Sequence, residues 1–379
     1  MNSNAVRTFV DDRLETYIAE LKSLVEHESP SRDKGRLDLL AGAIADRWEG
    51  LGGNVERIAN DAGGDHLVGR FFEAAPGPPA LVVGHFDTVW PVGTLARLPL
   101  RRDGGRLFGP GVYDMKTSLI LVAGVLEAFA ALGLRPARPI TVLFTSDEEV
   151  GSKTSRTRIE ALARESAHAL ILEPPLADGS LKTARKGVGR FTLTVEGKAA
   201  HAGVAPELGA SAIVELAHQV LKVAALNDPA AGTTLNVGLI EGGTTPNVVP
   251  ARASAEIDAR AVTIAGAEAV EKALLGLSAV TPGTRVTVEG GFNRPPMERS
   301  PAVAELFAKA RRVGEGLGLA LTEGSTGGGS DGNFTAAVGT PTLDGLGAAG
   351  GGAHADDEHI EIGSIPERAA LLAALLLEI

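Results

Sequence analysis

The chain contains no cysteine among its 379 residues. Disulfide frameworks, thiol nucleophiles, iron–sulfur clusters and cysteine zinc fingers are therefore excluded, and any zinc must be held by histidine and carboxylate. Aromatic residues make up only 4% of the chain, too few to build stacking platforms for bases or sugars. Positive charge is in deficit, 36 Lys and Arg against 47 Asp and Glu, net −11. An acidic surface repels a phosphate backbone, so no nucleic-acid partner is expected. The segment from Met1 to Lys22 lacks the apolar centre of a signal peptide. The longest apolar run, Leu119 to Leu134, is broken by Glu127 and meets Gly133 near its end. It reads as a buried helix, with no membrane partner implied. The expected location is the cytoplasm.

What is present is a chain long enough for more than one core, 44% hydrophobic. Val10, Leu14, Ile18, Leu21 and Leu24 share one face of a helix predicted over 10–27, and a second helix is predicted from Lys34 to Leu51, stopped by Gly52 and Gly53. Short apolar strands at 80–84, 140–144 and 169–172 then alternate with helices at 119–132 and 158–165, the pattern of an α/β sheet covered on both faces. Beyond Arg185 the pattern changes. Strands at 190–196, 234–239, 251–259 and 285–289 interleave with helices at 209–225 and 265–277, a ferredoxin-like β-α-β-β-α-β order. Helices at 302–317 and 365–377 resume the first pattern. The fold class expected is therefore α/β, with a central mixed sheet in a discontinuous domain of residues 1–185 and 295–379 and an inserted α+β ferredoxin-like domain of residues 186–294.

Acids and histidines cluster at the ends of the predicted strands, where open α/β sheets bind ligands. His85 and Asp87 follow the first strand two apart, so both can face one site, with Asp87 orienting the imidazole of His85; a surface histidine in a loop fits the same pattern. Asp114 stands at the entry to an apolar helix. It is either a helix cap or a carboxylate that bridges two cations. Glu148 and Glu149 follow the second strand. Two adjacent glutamates repel unless a cation or proton lies between them, and they point different ways, so one can bind metal while the other reaches a reacting water. A solvated acidic turn is the plain alternative. Glu173 ends a buried strand ahead of two prolines and needs a metal or an arginine to offset its burial. His354 follows a glycine run and is favoured over His359 on that ground. The glycines at 345, 347 and 350 fit a dinucleotide-binding pattern, but too little chain follows to complete that unit.

In their order and spacing, His85-x-Asp87, Asp114-x-Lys116, Glu148-Glu149, Glu173 and His354 resemble the zinc metallopeptidase family of glutamate carboxypeptidase, acetylornithine deacetylase, aminoacylase and succinyl-diaminopimelate desuccinylase, over about residues 80 to 360. The stretches Gly197 to Gly203 and Pro206 to Gly209 resemble that family's dimerisation domain, and Arg294-Pro-Pro and Gly327 to Asp331 are most similar to the glutamate carboxypeptidase branch. The resemblance implies two zinc ions per subunit, with manganese or cobalt as substitutes. His85, Asp114 and Glu173 would hold one, and Asp114, Glu149 and His354 the other. It implies Glu148 as general base, Asp87 as support for His85, a cis peptide after Asp114, and His201 as oxyanion donor in the site of a partner subunit. Asn247, Arg260, Arg294 and Gly329 would bind substrate. The family's usual glycine after Asp-x-Lys is Thr117 here. The implied activity is hydrolysis of an amide bond beside a free carboxylate, with a C-terminal glutamate or similar amino acid leaving an N-acyl or short-peptide substrate. The implied assembly is a homodimer through the 186–294 domain. An N-acyl amino acid deacylase is the neighbouring alternative. A non-catalytic binding protein on the same fold is the alternative of another class, and it would have no use for a base at Glu148.

Overall fold

The computed structural model describes residues 2–379. The chain forms two compact units. One comprises the residues up to Thr183 with Arg299–Thr326 and Ser330–Ile379; the other comprises Ala184–Glu298 with Gly327–Gly329.

In the larger unit six strands form one mixed sheet, in the order Asn54–Ile58, His66–Phe71, Ile140–Thr145, Ala80–His85, His168–Ile171 and Thr342–Leu343. The first two pairings are antiparallel and the remaining three parallel. Along the 80–85 strand, Ala80 and Val82 enter one core while Leu81 and Val83 enter another. A strand apolar on both sides must be covered on both sides. Helices Leu14–Glu26, Lys34–Gly50, Thr117–Leu132 and Ser364–Glu378 supply the first core, and Arg156–Glu165 with Gly332–Ala337 the second. Glu127, the acid inside the apolar run, accepts a hydrogen bond from the Tyr17 hydroxyl and pairs with Arg47, both at 2.5 Å. That pairing offsets the cost of holding its charge at the edge of the core.

The helix predicted over 10–27 is two helices, Asn2–Asp11 and Leu14–Glu26. The polar run Asp11-Asp12-Arg13 makes the break. Val6 and Val10 are buried from the first helix, Tyr17, Leu21 and Val25 from the second.

A second, four-stranded sheet was not predicted. Arg101–Asp103, Arg106–Phe108, His359–Glu361 and Gly350–Gly351 pair antiparallel in sequence-distant order. These strands are two or three residues long, below what an alternation pattern can reveal. Their effect is to bring the loop after Phe108 beside the loop that carries His354.

The smaller unit is a four-stranded antiparallel sheet in the order Thr234–Gly242, Arg252–Ala261, Gly187–Glu196, Arg285–Arg294. Helices Ala212–Ala225 and Ile264–Leu275 bury Leu216, Val223, Val270 and Leu274 against Phe191, Leu193, Ala255 and Ile257. This is the ferredoxin-like arrangement. The insertion enters and leaves side by side: Arg185 and Met297 exchange two backbone hydrogen bonds at 3.0 Å. Just outside, Thr183 and Arg299 of the larger unit both donate to the carboxylate of Glu323, at 2.8 and 2.7 Å at closest.

Candidate metal centre

Strand register places the first histidine and three carboxylates. Val83 lies level with Ile171 across a parallel pair, so two residues on, His85 and Glu173 leave the sheet at the same height. His85 is level with Thr145, from which the chain runs directly into Glu148 and Glu149. The carboxyl ends of three neighbouring parallel strands therefore converge, as open sheets require of a binding crevice.

Asp114 sits in an irregular segment, Val112–Lys116, and its peptide bond to Met115 is cis. It is not a helix cap. Its Oδ1 lies 3.2 Å from His85 Nε2 and its Oδ2 lies 3.3 Å from His354 Nε2. His85 Nε2 also lies 3.6 Å from Glu173 Oε1, and His354 Nε2 lies 3.2 Å from Glu149 Oε1. Asp114 thus offers one oxygen to each of two groups, His85 with Glu173 and His354 with Glu149. Ligand atoms of His85, Asp114 and Glu149 fall within 4.8 Å of one another, and so do those of His85, Glu148 and Glu173. Both glutamates border His85, Glu149 also contacting His354 and Glu148 lying beside Glu173.

Asp87 is fully buried. Its carbonyl and its Oδ1 lie 3.1 and 3.4 Å from His85 Nδ1, so Nε2 is left to face Asp114 and Glu173. The same carboxylate accepts the backbone N–H groups of Glu148 and Glu149, each at 3.2 Å, and the Ser31 hydroxyl at 2.7 Å. It orients the glutamate pair as well as the histidine. Ser31 carried no signal in the sequence. Thr117, the departure from the family pattern, is buried and donates its hydroxyl to the Val112 carbonyl.

Histidines and carboxylates shift one another across the cluster. Burial pushes the His85 imidazole down, but the Asp114 and Asp87 carboxylates outweigh it and hold His85 well above its usual value. Asp114 and Glu149 push His354 up to about 10. Burial raises Asp114, and the two histidines more than reverse this, holding it well below the usual carboxylate range. Burial raises Glu149. Histidine nitrogens and carboxylate oxygens gathered within 4.8 Å of one another offer room for divalent cations, and a donor set of nitrogen and oxygen alone suits zinc.

His354 is reached through a tight loop and adopts φ +63°, a left-handed conformation uncommon outside glycine. His359 lies elsewhere, stacked near Phe108 with its Nδ1 2.8 Å from the Asp357 carbonyl. The glycines at 345–350 are a packing device. The Gly347 N–H donates to the Glu173 carbonyl at 2.9 Å, and a Cβ on Gly347 would collide with the Leu172 and Glu173 carbonyls.

The remaining predicted site residues belong to the smaller unit. His201 is exposed, and its Nδ1 accepts the N–H groups of Gly203 and Val204 at 3.2 and 3.1 Å. An accepting Nδ1 leaves the proton on Nε2. Asn247 lies beside it, its carbonyl accepting the Ala202 N–H at 2.9 Å. Arg260 and Arg294 both stand level with Val188 on the strand between them. Arg294 is buried against Gly329, where a Cβ would come within 2.7 Å of its Cδ. Arg260 already pairs with Asp258 through two contacts of 2.7 and 2.9 Å and donates to the Gly327 carbonyl at 3.2 Å.

Comparison with known proteins bears on this geometry. The profile of peptidase family M20/M25/M40 matches residues 81–378. Carboxypeptidase G2 from Pseudomonas sp. (strain RS-16) is 32% identical, with 97% of this chain and 90% of the relative covered. A succinyl-diaminopimelate desuccinylase from Delftia acidovorans is 29% identical, over 88% of this chain and 90% of the relative. Among solved structures, aminopeptidase PepT from Bacillus cereus ATCC 10987 shares the fold with a TM-score of 0.78 at 24% identity, covering 96% of this chain and 98% of that one.

Proposed function

The chain belongs to peptidase family M20/M25/M40, and from that premise we propose that it is a di-zinc hydrolase cleaving an amide bond next to a free carboxylate. The favoured activity is that of a carboxypeptidase releasing C-terminal glutamate or a similar amino acid. One observation carries the two-cation part: the opposite oxygens of Asp114 face two different histidines, each with its own glutamate. Bound there, two divalent cations would acidify a water and polarise the amide carbonyl. His85 and Glu173 would hold one and His354 and Glu149 the other, with Asp114 shared.

Glu148, next in the chain to Glu149 and close to His85 and Glu173, takes the proton of the attacking water and returns it to the leaving nitrogen. His201, with its proton on Nε2, donates to the developing oxyanion in a partner subunit's site. Arg294, Arg260, Asn247 and the backbone at Gly329 bind the substrate carboxylate, the arginines by charge-assisted hydrogen bonds. The dimer forms through the smaller unit. Its Thr234–Gly242 strand is a sheet edge with Leu239 and Ile240 largely exposed, and an exposed apolar edge is a pairing surface.

The desuccinylase relatives favour a second reading, a deacylase of N-acyl amino acids. The two separate on a substrate panel with zinc-loaded protein. The carboxypeptidase reading expects kcat/KM on N-acyl-glutamate at least about tenfold above that on N-acetylornithine and non-acidic dipeptides. Equal rates on non-acidic dipeptides would count against it, and preference for the ornithine substrate would assign the second.

A further inference from the structure

We propose that Glu358 is a positioning residue, which locks the loop of Asp114 to the loop of His354 and thereby sets the cation position shared by Asp114, Glu149 and His354. This rests on the two-cation reading above. Glu358 ends the run Asp356-Asp357-Glu358, a composition usually found exposed. It is instead only 3% exposed.

Four N–H groups converge on its carboxylate. Oε1 accepts from the backbone of Tyr113 at 2.9 Å and of Asp114 at 3.1 Å. Oε2 accepts from the backbone of Gly111 at 2.9 Å and from Trp90 Nε1 at 2.7 Å. The Glu358 carbonyl also accepts the Gly109 N–H at 3.1 Å. The segment 109–114 is thus held along its length by one residue, ending at the N–H of Asp114 itself.

The same residue closes the loop of His354. Gly351 pairs with His359 at its base, the Glu358 N–H donates to Ala355 at 3.0 Å, and the Ala355 N–H donates to Gly352 at 2.8 Å. His354 lies inside that closed turn, half-exposed and in a left-handed conformation. A ligand with so little packing of its own depends on its loop for its place. His85 and Glu173 do not, because the central sheet fixes them. Asp114 serves both positions but His354 only one, so loss of the lock should fall more heavily on the His354 position than on the other.

The chemistry requires a carboxylate. Two donors face each oxygen, so a glutamine would turn its NH2 towards two N–H groups whichever way the amide lies. Glu358→Gln is a disruptive change here despite its equal size.

The test is calorimetric titration of the metal-free chain with zinc, with His354→Ala marking which equivalent belongs to the His354 position. Wild type is expected to take two equivalents. If it takes fewer, the two-cation reading falls and this inference with it. With two bound by wild type, Glu358→Gln is expected to weaken the His354 equivalent by about 10- to 100-fold and the other by a factor at least about fivefold smaller. Equal weakening of both, the mark of a merely structural lesion, overturns the proposal alone, as does no weakening. Trp90→Phe removes one donor and keeps the carboxylate; it is expected to weaken the same equivalent by a smaller factor. Should Glu358→Gln fail to fold, an unchanged His354 equivalent in Trp90→Phe overturns the proposal.

Discussion

Asp114 concentrates what the site demands of a single side chain. Its backbone is fixed by Glu358, and its two oxygens point to separate histidines. Glu148 makes the complementary case: its carboxylate lies within 4.8 Å of ligand atoms of His85 and Glu173 and so borders one of the pairs that Asp114 joins. Replacement of Glu148 by alanine is expected to leave zinc content unchanged, by elemental analysis, and to lower kcat by about a thousandfold or more. Unchanged turnover would remove Glu148 from the mechanism, and loss of zinc would recast it as a ligand. Residues at strand ends were legible because strand, acid and histidine follow one another directly, as at His85, Glu148 and Glu173. Glu358 and Ser31 were not. A buried acid whose partners are backbone N–H groups and one indole leaves no mark in composition or periodicity. The double duty of Asp87 also depends on backbone groups that meet only in the fold.

Elements were legible in proportion to their length and apolar periodicity. The strands at 80–85, 140–145 and 168–171 were visible as apolar runs. The strands at 54–58, 101–103, 106–108 and 359–361 are short, three of them largely polar, and their pairing is set by tertiary contact. The helix Ala212–Ala225 shows a further hidden arrangement. Glu215 is buried on it and accepts the N–H groups of Val280 at 3.0 Å and Thr281 at 2.5 Å, as well as the Gln219 amide. Burial raises its carboxyl, and these donors more than reverse that, bringing it down to about 2. A folded-state value below the unfolded one stabilises the fold above the ordinary carboxylate range. That contribution is lost as pH falls from there towards about 2. Glu215→Ala is expected to cost about 3 kcal/mol and to speed amide hydrogen exchange at Val280 and Thr281 by roughly a hundredfold. Exchange no faster than wild type would show that water replaces the carboxylate at no cost.

Across the whole molecule, the residues assigned to one reaction are divided between two units of the chain. All the candidate cation ligands belong to the larger unit; His201 and the arginines belong to the smaller. If His201 serves the partner's site, subunits with complementary defects must rescue each other. Glu148→Ala and His201→Ala proteins, unfolded together and refolded at equal amounts, are expected to recover about a quarter of wild-type activity, because half the dimers are mixed and each mixed dimer has one intact site. No recovery, with mixed dimers confirmed by native mass spectrometry, would place His201 in its own subunit's site. The exit and re-entry of the chain at one spot has a broader consequence. Thr183 and Arg299 already share Glu323, so a splice of a few residues there would leave every strand of the central sheet with its neighbours. The insertion is in that sense a detachable module: evolution or a designer can exchange it without rebuilding the scaffold that gathers the candidate metal ligands.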